Sequence, residues 1–454
     1  AAIDNSDINN IVLGNDITIE QTIEVDNDVT IYGNGYTISP NSDAVHAMTI
    51  YNSATIKNLT IDNENIMKGV QAYVASGKVK LKDISILNSA GAALTVNGSD
   101  VEAHNLNTSG SAWGAVNVDP GVGVTSPSIF TLTGDSTLEE NLQIWSDGRN
   151  VTDDATVKVS ANNYTEYWIP EEQHYKNNDS DPDNDITYDT TYWTNRNIED
   201  FLIQSAMNID SKTQYFSIQD AIQNAETGDT IYIGEGVYEE NINITNNITL
   251  LGPNKDITGH SSNRSNEAEI KISEQFNISS NNITINGLYI NPNNRNRPST
   301  NLVNFADNIS DIKVINNIIN TEKGEGSKGI GNNSDSTSIS NVTITGNKVN
   351  RAIALYNSTN DITINNNEVH DPGSEGIWLY NPDSGTSDLD IELNNNIVID
   401  APQGSADMKI VHAPQTVNSS TTENISKIAQ DIFNENPDIE SVKLWNGLVY
   451  TPQT

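Results

Sequence analysis

The densest group of ionisable side chains lies in Glu368-Val-His-Asp-Pro-Gly-Ser-Glu375, 20 residues after Lys348-Val-Asn-Arg351. If 20 residues are one structural repeat, Lys348 lies beside Glu368 and Arg351 beside Asp371. Glycoside hydrolysis needs two carboxyl groups that face each other, and only geometry identifies such a pair among 61 acidic residues. The same spacing also suits ion pairs between neighbouring strands on a solvated surface, which stabilise little. Catalysis and surface ion pairing both stay open.

Aromatic side chains recur next to this group. Tyr51, Tyr356 and Tyr380 each precede an Asn, and Trp378 lies two residues before Tyr380. In strands about 4.8 Å apart, Tyr356 and Tyr380 could form a flat ladder on which sugar rings stack. Shielding of a core edge is the alternative. The predicted ligand-binding residues are Tyr356, Trp378, Tyr380, Lys348 and Glu368.

A repeated strand pattern must position these side chains. Segments such as Asn282-Ile-Thr-Ile-Asn-Gly and Asp361-Ile-Thr-Ile-Asn-Asn begin at positions 247, 282, 311, 341, 361 and 390, and a related pattern begins at 29, 54, 79 and 101. One coil of three short strands needs intervals of this length. A doubly wound sheet would need an amphipathic helix after most strands, and the connections are too short and too rich in Asn.

A turn residue follows each of these strands, and it is always Gly, Asn or Asp, the residues that tolerate a left-handed backbone. The ten positions are Gly33, Asn58, Asp83, Asn105, Gly252, Gly287, Asn316, Gly346, Asn366 and Asn395. The next residue points inward by alternation. It is aliphatic at Leu59, Ile84 and Leu106, whereas Asn317, Asn347, Asn367 and Asn396 predict a buried asparagine ladder. The change of neighbour favours two units over one continuous stack.

These patterns predict an all-β fold, a right-handed parallel β-helix (solenoid) in two units with short helical caps. The predicted boundaries are an N-terminal unit at 1–160, an acidic and aromatic linker at 161–212, a C-terminal unit at 213–415 and a cap at 416–454. A capping helix is expected after Ser217, with Asp220 as its capping partner, and a second helix near residues 422–434.

Residues 217–252 resemble the opening of pectin-lyase-like right-handed β-helix proteins. The stretches Ala352-Ile-Ala-Leu-Tyr-Asn and Gly376-Ile-Trp-Leu-Tyr-Asn resemble the β-helix repeats of carbohydrate-binding and sugar-hydrolysing proteins. The superfamily holds lyases, hydrolases, epimerases, tailspikes, adhesins and surface-layer components, so the resemblance is specific for fold and not for function. The resemblance to the lyases of this superfamily implies a basic proton abstractor, which would be Arg351 or His370. It also implies catalytic carboxylates that hold calcium, which would be Asp371 and Glu375.

The composition of the chain limits the classes of partner that it is expected to bind. Lys and Arg total 23 against 61 Asp and Glu, for a net charge of −38, which disfavours nucleic acid and anionic membranes. Without Cys, neither disulfides nor thiolate ligands exist. No apolar run is long enough for a membrane span. The start, without Met or a leader, is interpreted as that of a mature fragment whose anchoring domains could be missing.

The sequence therefore predicts a secreted or cell-surface protein of a bacterium or archaeon that binds polysaccharide as an adhesin or envelope component. The first alternative is a calcium-assisted polysaccharide lyase or glycoside hydrolase, whose substrate could be acidic. The second is a purely structural surface-layer element. Calcium is the one cofactor that the sequence suggests. Residues 179–185 weakly resemble a calcium-binding loop, but the Gly and the terminal Glu of that motif are absent.

Overall fold

The computed structural model describes residues 8–42, 45–120, 124–147, 157–169, 190–197, 205–293, 301–320, 328–333, 338–357, 361–380, 391–403, 405–411, 422–444 and 449–452. These residues form 41 strands and two helices, and the chain divides into two compact units, Ala1–Phe201 and Leu202–Thr454. Among them, neither helix combines the length and apolar character needed to cross a membrane. The protein is all-β, with long parallel sheets that are consistent with a β-solenoid.

Unit 1 contains sixteen strands. They are β1 (Asn10–Val12), β2 (Ile17–Ile19), β3 (Ile23–Val25), β4 (Val29–Tyr32), β5 (Thr37–Pro40), β6 (His46–Asp62), β7 (Lys68–Leu87), β8 (Leu94–Asn97), β9 (Asp100–Ser109), β10 (Val116–Asp119), β11 (Ser128–Thr133), β12 (Thr137–Leu138), β13 (Ile144–Asp147), β14 (Val157–Ala161), β15 (Thr165–Ile169) and β16 (Thr190–Thr194).

The strands β1 to β14 of unit 1 pair in parallel with one another. Their register joins Val29 to Ala54, Ala54 to Val79, and Val79 to Val101. These are the starts of the repeats in the sequence, so the predicted phase of the first unit is confirmed. All four side chains are buried in one apolar core.

The far end of unit 1 departs from the repeat. Strand β16 pairs antiparallel with both β13 and β15, which places Trp193 beside Ile144. Trp193 is buried in the core of the unit. The segment predicted as a linker, 161–212, thus contributes two strands here, and its Trp193 and Tyr164 side chains pack against the core of the unit, whereas Trp168 is exposed.

Unit 2 contains the remaining strands and both helices. The elements are β17 (Ala206–Asn208), β18 (Thr213–Tyr215), α1 (Ile218–Gln223), β19 (Thr230–Ile233), β20 (Gly236–Tyr238), β21 (Asn243–Ile244), β22 (Thr249–Leu251), β23 (Ala268–Ile272), β24 (Phe276–Ile278), β25 (Ile283–Asn286), β26 (Tyr289–Pro292), β27 (Asn301–Phe305), β28 (Ile309–Ile315), β29 (Ile318–Ile319), β30 (Lys328–Asn332), β31 (Ile339–Thr345), β32 (Lys348–Asn350), β33 (Ile353–Tyr356), β34 (Ile362–Asn365), β35 (Glu368–His370), β36 (Ile377–Tyr380), β37 (Ile391–Asn394), β38 (Ile397–Ile399), β39 (Met408–Val411), α2 (Thr422–Glu435), β40 (Val442–Lys443) and β41 (Val449–Tyr450).

From β19 to β39, each strand of unit 2 pairs in parallel with the strand three places later in the chain. Three parallel sheets result, and one coil contributes one strand to each. The turn sheet contains β19, β22, β25, β28, β31, β34 and β37, and the aromatic sheet contains β21, β24, β27, β30, β33, β36 and β39. The third sheet contains β20, β23, β26, β29, β32, β35 and β38. The inward side chains, such as Ile285, Val314 and Ile344, form a single core.

The predicted turn column is largely confirmed. Eight of the ten positions have a left-handed backbone, with φ from 48° at Asn58 to 78° at Gly287. Gly33 and Gly252 do not. A Cβ atom at Gly33 would collide with the carbonyl oxygen of Asn58, and one at Gly252 with the carbonyl oxygen of Gly287. Glycine is needed at these two positions because the next coil approaches the backbone closely, not because φ is positive.

The asparagine ladder is confirmed along unit 2. The Oδ1 atom of Asn347 accepts both the backbone N–H of Asn317, at 2.9 Å, and its side-chain amide, at 3.1 Å. Asn367 and Asn396 repeat this geometry for the residue one coil before. Each Nδ2 also donates to a strand carbonyl, for example that of Val314. The buried amides are therefore fully satisfied scaffold.

Helix α1 packs into the core at the start of unit 2, with Ile218, Ala221 and Ile222 buried. Ser217 caps it by accepting the N–H of Asp220 at 3.1 Å, as predicted. Glu240 adds a cap that the sequence did not reveal, because it accepts the N–H groups of Ile218 and Gln219. The first-turn donors of α1 are thereby paired.

Candidate ligand-binding site

The aromatic cluster of unit 2, defined by Tyr356, Trp378 and Tyr380, lies on the outer side of the aromatic sheet. Ile353 and Leu355 of β33 face the core, so alternation turns Ala354 and Tyr356 outward. The register joins Tyr356 to Tyr380 and Ala354 to Trp378. The small side chain of Ala354 leaves room for the indole, and three rings from two coils come together.

The rings do not form the flat ladder that the sequence suggested. The centroids of Tyr356 and Tyr380 are 5.8 Å apart with planes inclined at 62°, and those of Tyr356 and Trp378 are 5.4 Å apart at 57°. Edge-to-face packing is the electrostatically favoured arrangement of aromatic pairs. Tyr356 is 7% exposed, whereas Trp378 and Tyr380 are partly exposed. These two rings are the accessible part of the cluster.

Two lysines cover the rings. The Nζ atom of Lys328 lies 4.0 Å from the ring centroid of Tyr356, and that of Lys409 lies 4.2 Å from Trp378. Both distances suit cation–π attraction. Sequence reasoning missed these lysines. Lys409 is the register partner of Trp378 one coil later, so an alignment of the repeats could have found it.

The charges around the cluster are few and close together. The Nζ atom of Lys409 lies 3.5 Å from a carboxylate oxygen of Glu375, and both side chains are mostly buried. Burial lowers the pKa of Lys328 to about 8. Burial also raises the pKa of Tyr356, and the charge of Glu375 adds to that effect. At pH 7 the cluster therefore holds a neutral phenol at Tyr356 beside the Lys328 side chain.

The predicted charged group divides between two places. Lys348, Glu368 and His370 lie on β32 and β35 of the third sheet, where Lys348 pairs with Glu368 across coils as predicted. The Lys348 ammonium is 3.6 Å from the Glu368 carboxylate, which also contacts the His370 ring. Glu375 belongs instead to the aromatic cluster. The catalytic role of Arg351, His370, Asp371 and Glu375 stays a prediction.

Arg351 and Asp371 occupy the corner between the third sheet and the aromatic sheet. Both have a left-handed backbone, with φ of 79° and 44°. The Arg351 guanidinium donates to the main-chain carbonyl of Asp371 at 3.2 Å. It also lies against Gly373, where an added Cβ atom would be 2.9 Å from it. This contact fixes the corner, which is a structural role for a predicted catalytic base.

Metal binding at Asp371 and Glu375 stays a prediction. Within the described ranges, no three His, Asp or Glu side chains form a group that could hold a metal ion. The acidic stretch 179–185 lies outside the described residues.

A concave surface lies on the turn sheet of unit 2 and has a volume of about 350 Å³. Its lining is polar and includes Thr284, Thr343, Thr363, Asp311 and Asn341. Asn341 donates to Asp311 at 3.0 Å, which with the Ser310 hydroxyl lowers the pKa of Asp311. The lining carries no aromatic ring, so it offers no stacking surface for sugars.

The structure thus offers one cluster in unit 2 that combines accessible rings with hydrogen-bond donors. The remaining predicted residues support corners or pair across coils. Comparisons with protein-family models, with curated proteins and with solved structures found no match for this chain.

Proposed function

We propose that this chain is a right-handed parallel β-helix protein of the pectin-lyase-like kind, secreted or displayed on a cell surface, and that it binds polysaccharide without cleaving it. The observation that carries the proposal is the aromatic cluster, in which Tyr356, Trp378 and Tyr380 meet on the outer side of two consecutive coils. Calcium is a candidate accessory at Asp371 and Glu375.

The chemistry of the cluster suits sugars. The C–H faces of a pyranose pack against aromatic rings, and Trp378 and Tyr380 keep part of their surface open. Hydroxyl groups of a sugar need donors and acceptors, which Lys409 and Glu375 supply beside the indole. Within the described residues, the Trp378 Nε1–H has no hydrogen-bond partner, so a bound hydroxyl reached by a small indole shift would satisfy it.

The scaffold supports the same proposal. The ladder and the left-handed turns hold the coils in register, so the rings are positioned by rigid strands and lose little entropy on binding. The net charge of −38 and the lack of Cys suit a soluble surface protein whose partner is neither nucleic acid nor an anionic membrane.

The test is binding of the full chain to a glycan array and, by titration calorimetry, to cellohexaose, xylohexaose and mannohexaose. Trp378→Ala and Tyr380→Ala are expected to weaken binding at least tenfold. Tyr32→Ala is the matched control, because Tyr32 is an exposed tyrosine with a lysine, Lys57, 5.3 Å from its ring on another sheet. Equal affinity of Trp378→Ala and the wild type would refute the proposed site. No binding to any glycan would favour the purely structural surface-layer role.

A lyase is the second candidate, and the lowered pKa of Lys328 favours it. Proton abstraction next to a sugar carboxylate needs a base that is partly neutral at neutral pH, and an amine with a pKa of about 8 meets that need better than an arginine. The full chain would then form unsaturated products from polyuronate, detected by ultraviolet absorbance with and without calcium. Turnover that is lost in Lys328→Met would replace the binding proposal with this one.

A further inference from the structure

We infer that unit 1 carries a second glycan-binding face, formed by Tyr51, Tyr73, Trp113 and Lys68, so that each of the two units binds polysaccharide. The inference rests on the proposed function, because it assigns the same ligand class to a second site.

The tyrosine pair of unit 1 reproduces the pair in unit 2. The register joins Ile50 to Ala72, which brings Tyr51 and Tyr73 side by side in adjacent coils. Their ring centroids are 6.3 Å apart and their planes perpendicular, much as Tyr356 and Tyr380 are arranged. The difference is exposure, since Tyr51 is 40% and Tyr73 37% exposed. These rings are more open to a ligand than Tyr356 is.

The lysine-covered tryptophan is also present in both units. The Nζ atom of Lys68 lies 4.2 Å from the Trp113 ring centroid, the distance found for Lys409 and Trp378. Trp113 is 54% exposed, an unusual position for so large an apolar surface. Gly91 makes the contact possible, because a Cβ atom there would lie 2.7 Å from the Lys68 side chain.

The amide of Gln71 lies between these aromatic ends. Gln71 points outward from its coil and donates to Asn97, the register partner of Tyr73 one coil later, at 3.1 Å. Asn97 in turn donates to the carbonyl of Asp119. Tyr73 and Lys68 are five residues apart along β7, so their Cα atoms are about 16 Å apart at 3.3 Å per residue. A fixed amide between aromatic side chains suits the polar edges and apolar faces of a short run of sugar rings.

The charge of this face favours a neutral glycan over a peptide or a second acidic chain. Burial and the nearby Lys68 lower the pKa of His46 to about 4, so its imidazole is neutral at pH 7. Lys68 then supplies the positive charge beside Trp113. An apolar protein partner would need an apolar centre, whereas the outward residue between the aromatic ends here is Gln71.

Two faces in one chain predict avidity. A polymer that reaches both faces gains from effective concentration, which raises affinity by ~100-fold or more over a single site. A hexasaccharide that reaches only one face should instead bind twice, independently.

The experiment titrates the full chain with cellohexaose, xylohexaose and mannohexaose, and measures retention on the matching insoluble polysaccharide. The wild type should bind two equivalents, and Trp113→Ala and Trp378→Ala one each. Either single variant should lose retention at least tenfold, and the double variant should not be retained. Trp113→Phe should restore binding in part, and Tyr32→Ala should behave as wild type. Circular dichroism checks that each variant folds. Because Trp113 is exposed, its substitution should not affect folding.

The outcomes separate the two claims. Two equivalents in Trp113→Ala, or one equivalent in the wild type lost only in Trp378→Ala, would overturn the second face and leave the proposed function standing. Binding that is lost only in Trp113→Ala would support the face in unit 1 and remove the site in unit 2. Absence of binding by the wild type would overturn both.

Discussion

The side chain of Asn436, directly after helix α2, is the last rung of the asparagine ladder. Its Oδ1 atom accepts the backbone N–H of Asn396 at 2.9 Å and the Asn396 side-chain amide at 3.1 Å. Its own amide donates to the carbonyls of Leu393 and Ile432. The helix therefore does more than cover apolar side chains, because it satisfies the polar groups that a ladder would otherwise leave unpaired at its end.

Removal of this rung should destabilise unit 2. Asn436→Ala leaves two buried donors of Asn396 without an acceptor, at a cost of about 1–3 kcal/mol for each unsatisfied group. Urea unfolding followed by circular dichroism measures the loss. Asn434→Ala is the control, since Asn434 is exposed on the same helix and accepts a bond from Gln430 alone among the hydrogen bonds described. Equal midpoints for the two variants would contradict the role of Asn436.

The ladder itself was predictable, and its end was not. Asn317, Asn347, Asn367 and Asn396 each follow a turn residue in a repeat, so their shared position identifies them in the sequence. Asn436 follows a helix, so it has no such position in a repeat. Its role depends on where the helix packs, which the local sequence does not encode.

The binding cluster was predictable in the same limited way. Tyr356 and Tyr380 recur at one strand position and Trp378 lies two residues before Tyr380, so alternation indicated a shared face. Ring tilt and the lysines above the rings depend on side-chain rotamers and on contacts between coils. Lys328 is the first residue of β30 and reaches Tyr356 from the neighbouring coil, a contact that periodicity alone cannot reveal.

The close approach at Gly252 gives a second stability prediction. In Gly252→Ala, the new Cβ atom meets the Gly287 carbonyl oxygen and lies 2.8 Å from a methyl group of Leu288, and the backbone cannot move without disturbing the next coil. We expect a loss of about 1–3 kcal/mol. Gly14→Ala is the control because no atom lies within 4 Å of a Cβ atom there. Thermal unfolding of both variants checks this, and a melting temperature of Gly252→Ala at or above that of Gly14→Ala would contradict it.

His46 makes unit 1 sensitive to acid. Its pKa falls from 6.5 unfolded to about 4 folded, first because of burial and then because of Lys68. The unfolded chain therefore binds a proton between pH 6.5 and 4 that the folded chain does not, so stability is lost as pH falls through this window. The loss attributable to His46 should be about 2 kcal/mol, reduced from the full shift because the ring is partly exposed.

Urea unfolding of the wild type and His46→Gln at pH 7 and at pH 4.5 measures this contribution. The variant should lose less stability than the wild type between the two pH values. His104→Gln is the control, because His104 is exposed and its ring contacts only the Thr133 hydroxyl among the bonds described. If His46→Gln lost as much stability as the wild type between pH 7 and pH 4.5, the imidazole would be protonated in both the folded and the unfolded chain at pH 4.5.

Lys328 should react with amine reagents at a lower pH than Lys78. Burial lowers its pKa to about 8, whereas the Glu102 and Asp100 carboxylates raise the pKa of Lys78. At pH 7 the neutral fraction of Lys328 should then exceed that of Lys78 by ~100-fold or more. Mass spectrometry after brief reductive methylation across pH 6 to 10 reports each lysine separately. Lys78 is the more exposed of the two lysines, so earlier labelling of Lys328 cannot come from accessibility. Labelling of both lysines at the same pH would show that the Lys328 ammonium is not desolvated over Tyr356.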